Sequence, residues 1–473
     1  MTSTIPSVLA LFLLTVDAAA ATDLLRYTIR YDPFEVELTL PNGATQKISL
    51  PRQPAFFYHR VNMRWPVPEG PADKPVRCEF RWVGFPADWR LVSSWSIDRR
   101  EESVETTLRG LRKAVFAGGD FRTATSRGGL VLVTRGKWPF SDASMLDLID
   151  RVAESHTSVW KDRGVAGHRI FLLPTTRTWE GEGRTHALIM EGNPDTYDTR
   201  YFTRLLAHEL FHEWNPRRLN YPDDEELYWF TEGFTDYYTV ASLWRSGIWT
   251  FHQAVEDFNR VVRGYYLSPA RNLTASRMVE LRQTNVSANE LPYRQGYLLA
   301  AHWNPGGKRL DSVMRSLLEG SHDPLSNARI AKALRLIGIE EANEQIQRFV
   351  VEGRTIELRA NLWGACAAEA KTAFPTFEVG FDWTASDKTK IIHGAKPDSN
   401  AWRAGVRDGQ KFSAIDVGLG DPTYLAEIEI EDEQGRRRIK YYPASAEAVT
   451  APQYKASTPR RDPATLTPLS AGQ

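Results

Sequence analysis

Two histidines four residues apart, set in a largely apolar run, constrain this chain more than any other feature. The segment is Leu205–Asn215, LLAHELFHEWN. On a helix, His208 and His212 project from one face and can reach a single ion. Glu209 lies next to His208 around that helix, able to touch a water on the ion without ligating it. The helix is credible by itself. Asp198 and Thr199 offer N-cap oxygens, Phe202, Leu205, Leu206 and Leu210 form an apolar stripe, and Asn215-Pro216 ends it.

A third ligand follows. Twenty residues after His212 comes Glu232, inside Tyr228–Tyr238 (YWFTEGFTDYY), which reads as a second, aromatic helix. Asp236 follows at i+4, on the same face. Two histidines and one glutamate around zinc leave a fourth position for water, the arrangement of a catalytic rather than a structural site. Asp236 is placed to accept the second ring N–H of a ligating histidine and fix its tautomer. Gly233 would let the two helices approach closely. The expected cofactor is one Zn2+ per chain.

Composition narrows the rest. At 473 residues the chain has room for about three domains. Lys plus Arg and Asp plus Glu both number 59, so no bulk field gathers nucleic acid or an acidic membrane surface. An aromatic content of 11% excludes whole-chain disorder. Two cysteines, Cys78 and Cys366, exclude a disulfide scaffold and a multi-cysteine metal cluster, although export would permit them to pair. Val8–Val16 (VLALFLLTV), followed by DAAAA, has the order of a secretory leader with a small-residue cleavage site. No later run approaches the roughly 18 consecutive apolar residues of a membrane span. The expected mature protein is periplasmic or secreted, without stable membrane insertion.

The pattern divides the chain into a leader (1–21), an N-terminal β-sandwich (22–125), a mainly helical domain (126–372), a β module (373–447) and a disordered tail (448–473). Alternation at Phe34–Leu40 and Val76–Trp82 marks the sandwich and makes Cys78 a buried strand residue. Strands continue at Leu130–Thr134, Arg169–Leu173 and Ala187–Met190, with a helix over Asp142–Trp160. From Thr199 to about Val351 the pattern is mostly helical. Strands return at Phe377–Phe381, Lys390–His393 and Lys411–Asp416, with a hairpin across Glu433-Gln434-Gly435. The Pro, Thr, Ser and Ala content after Thr450 reads as a tail.

HELFHEWN, then WFTEGFTDYY, then PYRQG at Pro292–Gly296 resemble the glycyl-aminopeptidase-type metallopeptidases, gluzincins related more distantly to thermolysin. The resemblance covers nearly the whole mature chain. It implies an α+β multidomain fold with a thermolysin-like catalytic domain and a C-terminal PDZ-like module, acting on peptide substrates. It carries His208, His212 and Glu232 over as zinc ligands and Glu209 as general base. Tyr293 sits where the family places a hydroxyl that steadies the tetrahedral intermediate; a core aromatic is the other reading. The expected chemistry is attack of a zinc-activated water on a peptide carbonyl, with Glu209 moving the proton to the leaving amine.

Departures from the family qualify this. Gln295 stands where the family usually has Lys. Members of the aminopeptidase group carry a Gly-Gly-Leu-Glu-His segment whose Glu holds the substrate amine; here Gly183-Arg184-Thr185-His186 is nearest, with Thr185 in the Glu slot. Glu180, Glu182 and Glu191 are the candidate replacements. The expectation is an aminopeptidase with reduced dependence on a free amino terminus. The alternatives are an endopeptidase lacking the amine anchor and a non-catalytic zinc-containing peptide-binding protein. Arg217 and Arg218 are candidate clamps for a substrate carboxylate, or a solvated pair. Ser399–Val406 with Asp408-Gly409 resembles the short helix and turn of a bacterial PDZ domain. Only Val417–Thr423 then precede the next strand, leaving no room for a peptide-binding helix, so the module is expected to be structural or to shape the cleft.

Overall fold

The computed structural model describes residues 23–61, 65–304, 309–359, 362–418, 420–432 and 435–457. The expected leader and residues 458–473 of the expected tail lie outside the described residues. The chain forms two compact units. The smaller runs to Thr123 and takes in the short returns 133–135 and 184–187; the larger holds the rest.

The smaller unit is β-rich. Its strands are β1 (Asp23–Arg30), β2 (Glu35–Thr39), β3 (Thr45–Ser49), β4 (Phe56–Arg60), β5 (Pro75–Val83), β6 (Arg90–Ser93), β7 (Glu101–Thr107) and β8 (Val115–Gly119). One short helix, α1 (Leu108–Arg112), follows β7. One sheet has the order β3-β2-β1-β5-β7 and a second the order β4-β8-β6. In β5, PVRCEFRWV, every second side chain is buried, as period-2 patterning requires. Tyr27 and Phe80 from the first sheet and Phe57, Leu91 and Phe116 from the second enter one apolar core. Cys78 is buried in it, its thiol pushed up to about 12 by burial, and both cysteines are free.

Next along the chain come β9 (Arg122–Thr125), β10 (Val131–Thr134), α2 (Asp142–Trp160), β11 (Arg169–Pro174), β12 (Glu180–Arg184) and β13 (Ala187–Gly192). Their sheet order is β12-β13-β11-β10-β9, so β12 is an edge strand. Helices then take over: α3 (Thr199–Phe211), α4 (Tyr228–Thr231), α5 (Gly233–Arg245), α6 (Phe251–Leu267), α7 (Ala275–Leu281) and α8 (Val286–Trp303). They continue as α9 (Leu310–Glu319), α10 (Asn327–Arg335) and α11 (Ala342–Ile346). Trp160, Trp214, Trp229 and Trp303 fill their common core, each almost wholly buried. Such aromatic mass dominates the energetics of burial.

Strands return earlier than expected, at β14 (Ala367–Phe377). Helices α12 (Trp383–Thr389) and α13 (Asn400–Ala404) follow, then β15 (Lys411–Asp416), β16 (Ala426–Asp432), β17 (Gly435–Tyr441) and β18 (Ala444–Ala456). The hairpin β16–β17 forms as expected, and β15-β16-β17 make a sheet with its own core of Phe381, Ile392, Phe412 and Ile428. Among the described residues 417–425 there is no helix. Three expectations fail here. The strand expected at Phe377–Phe381 does not form, since β14 ends at Phe377 and the chain then bends toward α12. No strand forms at 390–393, where Ile391 makes only an isolated bridge to Lys411. The tail expected from 448 is strand up to Ala456, paired with β14 from Ala367 to Pro375 before the register shifts at Thr376. Its few apolar groups suffice because Asn259 of α6 clamps it: Asn259 Nδ2 donates to Tyr454 O at 2.7 Å, and Tyr454 N donates back to Asn259 Oδ1 at 2.7 Å.

Candidate metal centre

The site is built on α3, on the junction of α4 with α5, and on α8. Asp198 caps α3 as expected, accepting from Tyr201 N. The helix stops sooner than Asn215-Pro216 suggests: Phe211 is its last residue and His212 its C-cap. His212 still faces His208, because its own backbone remains right-handed helical. Glu232 sits between α4 and α5 rather than inside one continuous helix.

The three expected ligands converge. His208 Nε2 and His212 Nε2 are 3.0 Å apart, and Glu232 Oε2 lies 3.4 and 3.3 Å from them. Donors bound to one tetrahedral zinc at ordinary bond lengths stand roughly 3.3 Å apart, so the triangle fits that ion. The outer nitrogens fix the tautomers. His212 Nδ1 lies 2.8 Å from Asn215 O, a carbonyl that can only accept, so this nitrogen carries the hydrogen. His208 Nδ1 donates to Asp236 Oδ1 at 2.8 Å, as expected for Asp236. Two neutral imidazoles held this way turn both Nε2 lone pairs toward a carboxylate. Such a set requires a cation, or a proton in its place.

The electrostatics agree. Burial disfavours a charged His208, but hydrogen bonds and charge from Asp236 and Glu232 outweigh it and push the imidazole up to about 10. His212 is raised too, the Glu232 charge overcoming burial. Burial raises Glu232 and Asp236, yet His212 and His208 hold Glu232 well below the carboxylate range, and Arg204 with His208 does the same for Asp236. Glu209, next along α3, stands outside the triangle. Burial pushes its carboxyl up, against the pull of His208 and His212.

Three glycines allow the close approaches. A Cβ on Gly181 of β12 would lie 2.9 Å from Glu209 Cδ and Oε1, so the edge strand runs directly beside this carboxylate. Gly233 packs not on the zinc helix, as its position suggests, but on α8: its Cβ would meet Pro292 O and Gly296 C at 2.8 Å. Gly296 answers it, 2.7 Å from Trp229 C on the same measure. This backbone-on-backbone crossing sets Tyr293 beside the triangle, its ring stacked on His208 with centroids 6.2 Å apart. Burial, with the charges of Glu232 and Asp236, raises the Tyr293 phenol well above its usual range, so it remains a donor.

The other candidates separate. Thr185 belongs to the smaller unit, where its hydroxyl donates to Gly110 O at 2.6 Å. Glu191 is buried, with Arg177 Nη2 3.4 Å away. Gly181 and Gly183 face α3 and Arg217, so strand alternation turns Glu180 and Glu182 to the opposite face. Arg218 is bidentate to Asp162 at 2.5 and 3.0 Å, whereas Arg217 pairs with Glu213 and lies under Gly183. Gln295 is buried and donates to Phe349 O at 2.6 Å, a structural role.

Sequence reasoning missed Asn215 and Arg204. Asn215 reads only as a helix stop, yet its side chain donates to Phe230 O, Thr231 O and Thr235 Oγ1 at 3.2 to 3.3 Å, tying the end of α3 to the Glu232 junction. Its position shortly after the second histidine was the available signal. Arg204 carried one too, lying one turn before His208.

Residues 201–295, well under half of the chain, match the family described as M61 glycyl aminopeptidase. No curated protein matches the chain. Among solved structures, the aminopeptidase N family protein from Idiomarina loihiensis is similar in fold, with TM-score 0.63 and 14% identity over 94% of this chain and 99% of that one. An M1 zinc metallopeptidase from Deinococcus radiodurans aligns with TM-score 0.44 and 15% identity over 71% of this chain and 94% of its own. Yeast LTA4 hydrolase in complex with bestatin aligns with TM-score 0.46 and 11% identity over 72% and 68%. The matched segment spans every site residue from α3 to Tyr293, and together these findings support a peptidase enzyme with a multidomain α+β fold.

Proposed function

We propose that this chain is a zinc-dependent peptidase, with His208, His212 and Glu232 as metal ligands, Glu209 as general base and Asp236 behind His208. One observation carries the reading: three acceptor atoms spaced for a tetrahedral cation, beside a half-buried carboxylate, Glu209, that takes no part in the triangle. A structural site has no use for that acid. Zinc bound there supplies Lewis-acid chemistry, lowering the pKa of a water to about 7 and polarising a carbonyl. Glu209, its carboxyl pushed up by desolvation, takes the proton of the attacking water and returns it to the leaving amine. Tyr293 donates to the developing oxyanion. The edge strand β12 offers backbone pairing to an extended peptide along the same face.

The reading is aminopeptidase-like, with loose dependence on a free amino terminus. A second reading, an endopeptidase, is favoured by the engagement of Thr185 with Gly110 and of Glu191 with Arg177, which leaves neither ready to anchor an α-ammonium. A β-sandwich at 22–125, a thermolysin-like domain and a PDZ-like module at 373–447 complete the proposal. The module is structural or cleft-shaping, a role supported by the helix-free span after β15. Export follows from the sequence of 1–21, and among the described residues no helix is long and apolar enough to cross a membrane. Offering the zinc-loaded enzyme matched peptides with free and acetylated amino termini, and mapping every cut by mass spectrometry, tests the reading. Cuts at the first bond of free peptides, with weaker internal cutting of acetylated ones, are expected; no zinc-dependent cleavage of either set refutes it.

A further inference from the structure

Behind the His208–Asp236 pair stands a second layer of buried charge. Arg204 lies one turn before His208 on α3, and its Nη2 is paired with Asp236 Oδ2 at 3.0 Å. Its Nε donates to Asp257 Oδ1 of α6 at 3.1 Å. Arg260 Nη2 meets the same Asp257 oxygen at 3.1 Å. Asp236 and Asp257 are 8% and 5% exposed, so neither carboxylate is balanced by water. Asp236 therefore has one oxygen on His208 Nδ1 and the other in an ion pair with Arg204.

We propose that Arg204 is a positioning residue of the metal centre: by bridging Asp236 to Asp257 it keeps the Asp236 carboxylate aimed at His208 Nδ1, and so keeps His208 Nε2 turned toward the metal. The inference rests on the zinc reading above. Its physical ground is geometric. Without Arg204, Asp236 Oδ2 loses its partner in a buried setting, and the carboxylate is free to turn toward another donor. That turn releases the hydrogen bond that selects the ligating nitrogen of His208. A lysine is not equivalent, because only the rigid guanidinium fork spans two carboxylates on different helices at once. A group bonded directly to a ligating histidine typically changes metal affinity 10–100-fold when removed, and Arg204 acts through that group, Asp236.

The test uses the full-length, zinc-loaded protein with R204M, R204K and a control, R245M. Arg245, the last residue of α5, makes a comparable half-buried pair with Asp311, at 3.0 and 3.1 Å. Zinc affinity is read by competition with a chromogenic chelator, beside thermal unfolding of each variant. The expected result is a 10–100-fold loss of zinc affinity in R204M, a smaller loss in R204K, and wild-type affinity in R245M whatever its unfolding temperature. Wild-type affinity in folded R204M overturns the proposal, as does an equal loss in R245M, which would make the effect one of global stability. If R204M does not fold, R204K decides by the same criterion: reduced affinity supports the proposal and wild-type affinity overturns it. Zinc bound at one equivalent without peptide cleavage refutes the peptidase reading instead and leaves this inference standing.

Discussion

Replacing Gly181 with alanine places a methyl group against the proposed base without touching a metal ligand. The added Cβ would lie 2.9 Å from Glu209 Cδ and Oε1, and closer still to Cγ, where carbon atoms ordinarily rest 3.5–4.0 Å apart. The strand or the side chain must yield by about 1 Å. Gly181 is held in the β12 ladder whereas Glu209 is a flexible, half-buried side chain, so the shift falls on the carboxylate. A 1 Å misplacement of a reacting group costs about 10²-fold in rate, equal to about 2.7 kcal/mol of transition-state free energy. The overpacking itself costs about 1–3 kcal/mol of stability, an amount a fold of this size tolerates. Zinc content is expected to be unchanged, because Asp236 and Asn215 hold the two histidines independently of β12. The assay is kcat on a cleaved peptide at saturating substrate, with zinc quantified by atomic absorption in the same sample. Wild-type kcat in zinc-loaded G181A would refute the placement of Glu209 at the reacting water.

Further tests follow from the same geometry. Tyr293→Phe, which keeps the ring on His208 and removes only the hydroxyl, is expected to lose about 3 kcal/mol of transition-state binding in kcat/KM, the scale of one oxyanion donor; an unchanged rate returns Tyr293 to the core. In the metal-free protein His208 is raised from 6.5 to about 10, so the stability from its protonation is complete below pH 6.5 and is lost as pH rises through about 10. Zinc takes the place of that proton, so the melting temperature of the metal-free form should fall over this window and that of the zinc form should not. Equal profiles for the two forms would contradict the shared-cation account.

The convergence of His208 and His212 was legible because helical periodicity places i and i+4 together without knowledge of the rest of the fold, and the placing of Asp236 on the face of Glu232 follows the same rule. What escaped depends on distant pairing. Gly233 signals a close approach but not to which helix; α8 is the partner, more than fifty residues away. Arg204 is meaningful only once Asp236 and Asp257 are seen around it. The strand β18 was hidden by a composition typical of a tail, since its order comes from β14 and Asn259 rather than from its own apolar content. The segment 390–393 shows the reverse, a strand-like texture that finds no ladder and makes one bridge.

The central claim is that zinc and Glu209 act on one water, and the most direct measurement compares wild type with Glu209→Gln, each loaded with zinc. Glutamine keeps the shape of the side chain and cannot take a proton. Zinc content is measured by atomic absorption and peptide cleavage by mass spectrometry on the same preparations. The account predicts one zinc per chain in both proteins, with nearly all hydrolysis lost in the variant. Unchanged turnover in metal-loaded E209Q would contradict it.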